Sequence, residues 1–222
     1  MTARPAGAHA RRLAARLSEP DEHLRSVDRV IRRLIDDGGP IDPATDRRGS
    51  RPEAYQALAR AIVGQQLSTK AAASIWGRVT ELFRGETPSP GQLMAVDGEK
   101  LREAGLSWAK VGFLKDLAER VDDGRLDLER LNELSDEDVI AELIAIKGVG
   151  RWTAEMFLIF HLGRPDVVSM GDLGIRRAVK VAYGMDELPD LTQMERISEP
   201  WRPHRTLACL YLWRSLDNTP GR

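Results

Sequence analysis

Leu143-Ile144-Ala145-Ile146-Lys147-Gly148-Val149-Gly150-Arg151-Trp152-Thr153-Ala154 packs a helix end, a tight turn and a helix start into one short stretch. The apolar spacing predicts one helix ending at Ile146 and another starting immediately after the glycines. Two glycines around one apolar residue suit a turn whose backbone comes close to something, with Val149 pointing inward to tie the turn to the core. The amides of residues 148 to 151 would then stand at a helix N-terminus, where the first donors have no intrahelical acceptor. Such amides, with the helix dipole, favour an anion such as a phosphate and position it without reading base sequence. A bare pair of glycines is more often a helix corner with a glycine cap. The fuller string L-x-x-I-x-G-V-G-x-x-T-A is more specific.

Outward from this turn the sequence reads as helix almost throughout. Residues 53–64 place Tyr55, Leu58, Ile62 and Val63 on one face. Ser68 opens a second helix, a short one restarts after the prolines near residue 90, and Gly105 breaks two more over 101–105 and 108–121. Ser135 with Asp138 forms a capping-box-like start for the helix leading into the turn. Residues 151–162 continue as one helix, Asp172 opens another, and the last runs from Arg205 to Leu216. Residues 37–52 are the best loop candidate. No useful β alternation or fixed-period repeat is present. The fold class is therefore all-α, with two helical subdomains and a helix–hairpin–helix motif between them. The first and last helices are too amphipathic to stand alone and are expected to pack together.

Bulk properties exclude several classes. The chain has 222 residues, 42% hydrophobic and 30% charged, which suits one domain or two small subdomains. No apolar run reaches the roughly 18 residues of a bilayer span. The basic N-terminus lacks an apolar core, so it is not a secretory signal; a short helical or disordered lead-in fits it better than a transit peptide. A single cysteine, Cys209, excludes a disulfide framework and a four-thiolate zinc or iron–sulfur site. The four histidines show no metal-ligand spacing, and His204 reads as a helix-start or rim residue. A net charge of −1 argues weakly against a nucleic-acid binder, but backbone amides grip phosphate without adding charge.

The glycine turn, with GVGRWTAEMFLIFHLGRPDVVSMGDLGIRR around it, resembles the helix–hairpin–helix superfamily of DNA glycosylases, and within it the 3-methyladenine DNA glycosylase II type. IVGQQLSTKAA at 62–72, LREAGLSWAKVGFLKDLA at 101–118 and WRPHRTLACLYLW at 201–213 extend the resemblance across residues 53–214. It implies an enzyme that turns an alkylated base out of double-stranded DNA and hydrolyses its glycosidic bond. The domain organisation expected is a helical lead-in and loop over 1–50, then a helix–hairpin–helix glycosylase domain over 51–222, with its motif at about 139–160. The β-sheet lobe that usually precedes this domain is expected to be absent or reduced.

The resemblance places the catalytic carboxylate at Asp172. Local rules alone make Asp172 a helix N-cap, and the two roles are compatible because the positive end of a helix favours a carboxylate. Asp166 and Asp190 are rivals by proximity only; Asp166, in a connecting loop, reads as solvated. Trp152 stands where bifunctional relatives carry a Schiff-base lysine, and an indole forms no imine, so no lyase activity is expected. Trp152 and Trp213 match aromatic positions of the base pocket, although Trp213 suits a core position equally well. Met156 and Leu173 stand where a better-known relative has tyrosines, which implies a wider pocket. Gln66 aligns with the residue that enters the gap left by the flipped base. Gly148, Val149, Gly150, Arg151 and Thr153 are the expected DNA contacts, and Lys147, where the family has proline, adds a charge near them. The resemblance also implies a Na+ or K+ ion held by the carbonyls of Ile144, Ile146 and Val149; no cofactor is needed.

The sequence also admits two other readings: a non-catalytic helix–hairpin–helix DNA-binding module, and a glycosylase of another lesion branch. Asp172, Trp152 and the breadth of the match favour the alkyl-base enzyme. No membrane association is expected, a monomer is the default state, and a prokaryotic source would place the protein in the cytoplasm at the nucleoid.

Overall fold

The computed structural model describes residues 17–43 and 53–217. Among them the secondary structure is helical, without strands. The chain divides into two compact units, residues 50–163 and residues 1–49 with 164–222. The N-terminal helices therefore share a unit with the C-terminal ones, and the hairpin motif lies wholly inside the continuous unit. No helix among the described residues is long and apolar enough to cross a membrane. The transit-peptide question falls on residues 1–16, outside the described residues.

In the discontinuous unit, α1 (Glu19–Val27) is opened by Ser18 and α2 (Arg29–Gly38) by Asp28, whose carboxylate accepts from the Val30 and Ile31 amides. α2 ends at Gly39, φ 72°, so the predicted loop begins two residues later than expected; residues 44–52 of it lie outside the described residues. α10 (Leu173–Tyr183), α11 (Leu191–Ser198) and α12 (Arg205–Asp217) complete the unit. Leu207 to Leu212 are buried at every consecutive position, so α12 is enclosed on all sides and forms the unit's centre. α2 and α10 both pack against it. Leu24, Ile31, Ile35, Ile175, Val179 and Trp201 fill the same core. Polar groups there are paired: Trp201 Nε1 donates to Asp28 at 2.9 Å, and the Tyr183 hydroxyl donates to the same carboxylate. The Tyr211 hydroxyl donates to Asp21 and accepts from the Ile41 amide.

The continuous unit is built from α3 (Ala54–Gly64), α4 (Thr69–Glu81), α5 (Pro90–Ala95), α6 (Gly98–Glu103), α7 (Trp108–Asp122), α8 (Asp136–Ile144) and α9 (Arg151–Met156). Ser68, Ser89, Asp97, Ser107 and Ser135 each cap the helix that follows. At Ser135 the hydroxyl also donates to the Asp138 carboxylate, in place of the reciprocal bond of a capping box. α7 is the central strut: it buries Val111, Leu114, Leu117 and Ala118 and packs against α3 and α5. The single helix expected over 151–162 is instead α9 followed by a π-helical segment, Phe157–Leu162, closed by Gly163 at φ 71°. Phe157, Leu158 and Ile159 are all buried, so this segment is enclosed over a wider arc than one apolar stripe.

Candidate functional site

The hairpin turn is held from below by α7. Gly148 has φ +78°, and a Cβ there would lie 2.1 Å from the Phe113 ring, so conformation and space both require glycine. The Asp116 carboxylate, 6% exposed, accepts the Lys147 amide at 2.9 Å and pairs with Arg120 at 2.8 Å and with the Lys147 ammonium at 3.3 Å. Burial alone pushes the Asp116 carboxyl up, but the bonds from the Lys147 amide, Arg120 and the Lys147 side chain outweigh it and hold it below the ordinary carboxylate value. The positive charge expected of Lys147 is thus partly neutralised within the protein.

Val149 is buried and anchors the turn, as its apolar position requires. Its amide donates to the Ile146 carbonyl at 3.1 Å, so the expectation that every amide from 148 to 151 lacks an internal acceptor fails at this residue. Gly150 differs from Gly148. It caps α9 with φ −98°, and a Cβ there would meet nothing within 4 Å among the described residues. No described part of the protein demands a glycine at 150.

Arg151 and Thr153, the expected phosphate contacts, both have partners or surroundings inside the protein. Arg151 is engaged by Glu137, through Nη1 at 3.1 Å and Nη2 at 2.7 Å, and by Glu155 at 3.1 Å. The Thr153 side chain is buried because it faces the unit's interior from α9, which leaves only its backbone for an outside partner. Trp152 is half exposed, and Met156 follows one turn later on the same face, partly buried.

The loop after α3 reaches the hairpin. Gln65 Nε2 donates to the Gly148 carbonyl at 2.7 Å. Gln66 follows in the left-handed region, φ 59°, with its side chain exposed. The Lys110 ammonium donates to the Val63 and Gln65 carbonyls at 2.8 and 2.7 Å.

In the other unit, Asp172 is the N-cap of α10, and its Oδ1 accepts the Ile175 amide at 2.7 Å. The same oxygen accepts Trp213 Nε1–H at 3.1 Å. Trp213, read from sequence as a pocket or core aromatic, is thus a partner of the carboxylate. Gly174 makes this possible: a Cβ there would come within 2.9 Å of Asp172 Oδ1 and 3.3 Å of Trp213 Nε1. Leu173, the first residue of α10, is exposed. Asp166 is partly buried rather than fully solvated; it pairs with Arg202 and Arg205, each at 2.6 Å, because the turn into α12 and its first residue bring both guanidinium groups to it. Asp190 caps α11 in a full capping box with Gln193. His204 accepts the Ala208 amide at the start of α12 and packs edge-on against His23.

The profile of the HhH-GPD superfamily, described as base excision DNA repair protein, matches residues 59–203. The chain belongs to the HhH-GPD superfamily. Within it, the chain is similar to DNA-3-methyladenine glycosylase 1 of Schizosaccharomyces pombe, 36% identical over 201 residues that cover 90% of this chain and 87% of the relative. The crystal structure of a DNA-3-methyladenine glycosidase from Bacillus halodurans is 38% identical, with a TM-score of 0.78 and 90% coverage of each chain. The S. pombe 3-methyladenine DNA glycosylase, solved in complex with abasic DNA, is 33% identical with a TM-score of 0.79, covering 92% of this chain and 100% of the other. The helical HhH-GPD architecture thus extends beyond the profile, over nine-tenths of the chain.

Lys110, Phe113, Asp116 and Gln65 were not singled out from sequence. The first three stand at successive intervals of three along α7, one helix face, and that spacing inside the block at 101–118 is the signal that could have found them.

Proposed function

We propose that this chain is a monofunctional DNA glycosylase that removes alkylated bases from duplex DNA in base excision repair, with Asp172 as its catalytic carboxylate. The observation that carries the reading is the fixed carboxylate: Oδ1 of Asp172 is held by the Ile175 amide and the Trp213 indole, in a chain whose relatives are named as 3-methyladenine glycosylases.

The chemistry needs little more. A base alkylated on a ring nitrogen is already cationic. The C1′–N bond breaks with its electron pair going to the base, which leaves neutral, and positive charge develops on the sugar. Asp172 stabilises that charge and orients water; the water oxygen adds to C1′ and its proton is released to the carboxylate or to solvent. Trp152 offers an aromatic face to the flipped base, with cation–π attraction to a cationic one. Met156 and Leu173, where a better-known relative has tyrosines, favour a broader range of methylated bases. Trp152 cannot form an imine, so the abasic product stays unnicked.

The hairpin supplies phosphate grip, with Gly150 as the place where DNA backbone approaches most closely. Gln66 enters the gap left by the flipped base. The carbonyls of Ile144, Ile146 and Val149 would hold Na+ or K+; a neutral, all-oxygen donor set fits an alkali cation, and the Ile146 oxygen keeps a second lone pair beside its bond from Val149. When bound, the ion adds positive charge beneath the phosphate. The enzyme acts as a monomer.

Release of free base from duplexes carrying 3-methyladenine, 1-methyladenine, 3-methylcytosine or 7-methylguanine tests the reading, run beside Asp172→Asn. Wild-type release, abolished by the substitution, is expected. No release from any of the four sinks the enzyme reading, and full activity in Asp172→Asn sinks the assignment of that residue. Borohydride trapping of a protein–DNA adduct would overturn the absence of lyase chemistry.

A further inference from the structure

The loop between α3 and α4 contains an arrangement that phosphate grip and bond cleavage leave unused. Gln66 adopts φ 59°, a backbone conformation that non-glycine residues seldom take and hold only when their surroundings impose it. The residues before it supply the constraint. The Lys110 ammonium, partly buried, sits at the C-terminus of α3 and donates to the carbonyls of Val63 and Gln65. Removal from water favours its neutral form and lowers its pKa, while the negative end of the helix dipole and two carbonyl oxygens give its charge a local partner. Gln65 is tied a second time, by its side-chain amide to the Gly148 carbonyl. One residue further on, the Leu67 amide donates back to the Gly64 carbonyl at 3.1 Å. Gln66 is thus the turning point of a clamped loop, and its side chain points to solvent.

We infer that Lys110 is a positioning residue for the insertion of Gln66 into DNA: its grip on the Val63 and Gln65 carbonyls imposes the left-handed turn that presents the Gln66 side chain. This rests on the glycosylase reading above. A lysine that merely caps a helix would lower stability and weaken every kind of binding together. A lysine that positions the inserted side chain affects only duplexes offering a gap to fill. Phe113 and Asp116 hold the hairpin through their own contacts, independently of the Gln65–Gly148 bond that Lys110 steadies, so grip on intact DNA survives its loss.

The test compares Lys110→Met, which keeps the side-chain length without charge or donors, with Lys110→Arg, which restores both. Binding is measured by anisotropy to an undamaged duplex and to one carrying a tetrahydrofuran abasic analogue. Lys110→Met is expected to lower the preference for the abasic duplex by about tenfold while changing affinity for the undamaged one by less than about twofold. Lys110→Arg returns the preference to within about threefold of wild type, and Lys110→Met adds no further loss in a Gln66→Ala background, since the two residues act as one unit. Lys110→Gln, which keeps one amide donor, replaces the methionine variant if that does not fold, with the same pattern expected. Unchanged preference, equal weakening on both duplexes, or a loss that adds to that of Gln66→Ala overturns the inference. A wild-type protein with no preference for the abasic duplex overturns the glycosylase reading, and this inference with it.

Discussion

The indole nitrogen of Trp213 lies 3.1 Å from Oδ1 of Asp172 and donates to it, although 41 residues separate the two in sequence. The carboxylate also caps α10, so one oxygen is fixed by its own helix and by the central helix of the unit. A hydrogen bond to a charged group is worth about 1.5–3 kcal/mol. Trp213→Phe keeps an aromatic ring, though a smaller one, and removes the donor. Its single-turnover rate of base release should fall about 10- to 100-fold, with affinity for damaged duplex falling much less. A full rate in this variant would make Trp213 a packing residue only.

Gly174→Ala is expected to separate stability from activity. Alanine is the better helix former by up to about 1 kcal/mol, which offsets part of the cost of losing the carboxylate's bonds, so thermal unfolding should fall by only a few degrees. The added methyl would meet Asp172 Oδ1 at 2.9 Å and force the carboxylate off its two donors. Base release about tenfold slower, in a protein that stays folded with only a modest loss of stability, is the expected pair of results. An unimpaired rate would mean that the carboxylate does not need this position.

Glu137 restrains the hairpin's electrostatics. Its carboxylate holds Arg151 by two bonds, yet both side chains are more than half exposed, so the pair contributes at most about 1 kcal/mol to stability. Glu137→Gln should raise affinity for undamaged duplex about threefold at low salt and steepen the dependence of log K on log salt by about one. Fluorescence anisotropy across a salt series reads both. An unchanged slope would show that Arg151 makes no phosphate contact.

Asp116 predicts an acid limit. Its carboxyl is held below the ordinary value of 3.8 in the folded protein. A group depressed on folding contributes its stability fully above the unfolded value and loses it as pH falls through the folded one. Urea melts should therefore place wild type above Asp116→Asn by a constant margin of about 2–4 kcal/mol at neutral pH. The margin should shrink only below about pH 4. A margin that persists unchanged to pH 3 would exclude the carboxylate as its source.

Much of this architecture was legible because its signals are local. Ser68, Ser135 and Asp172 mark their helices by short-range capping chemistry, and Gly148 marks its turn by a backbone that only glycine takes easily. What was illegible depends on distant partners. Asp166 read as solvated because Arg202 and Arg205 come from the far side of α10 and α11 in the chain. The ion pair of Arg151 was illegible because nothing in its neighbourhood of sequence announces Glu137, 14 residues earlier. Thr153 and Trp152 are adjacent on a helix that buries one and exposes the other, and three residues of periodicity are too few to tell which. The π segment after α9 has no pattern of its own, since an apolar run reads as an ordinary helix until its hydrogen bonds are seen.

The discontinuous unit has a consequence for biosynthesis. The Tyr211 hydroxyl bonds Asp21 across 190 residues, and Trp201 bonds Asp28 across 173. On the ribosome, α1 and α2 emerge first and wait, with Leu24, Ile31 and Ile35 lacking their cover, until α12 leaves the exit tunnel. Every contact internal to residues 50–163 is available much sooner. The hairpin proposed to grip DNA can thus be complete while the carboxylate still lacks its indole. On the proposed reading, a nascent or prematurely terminated chain would hold damaged DNA before it could cut the bond.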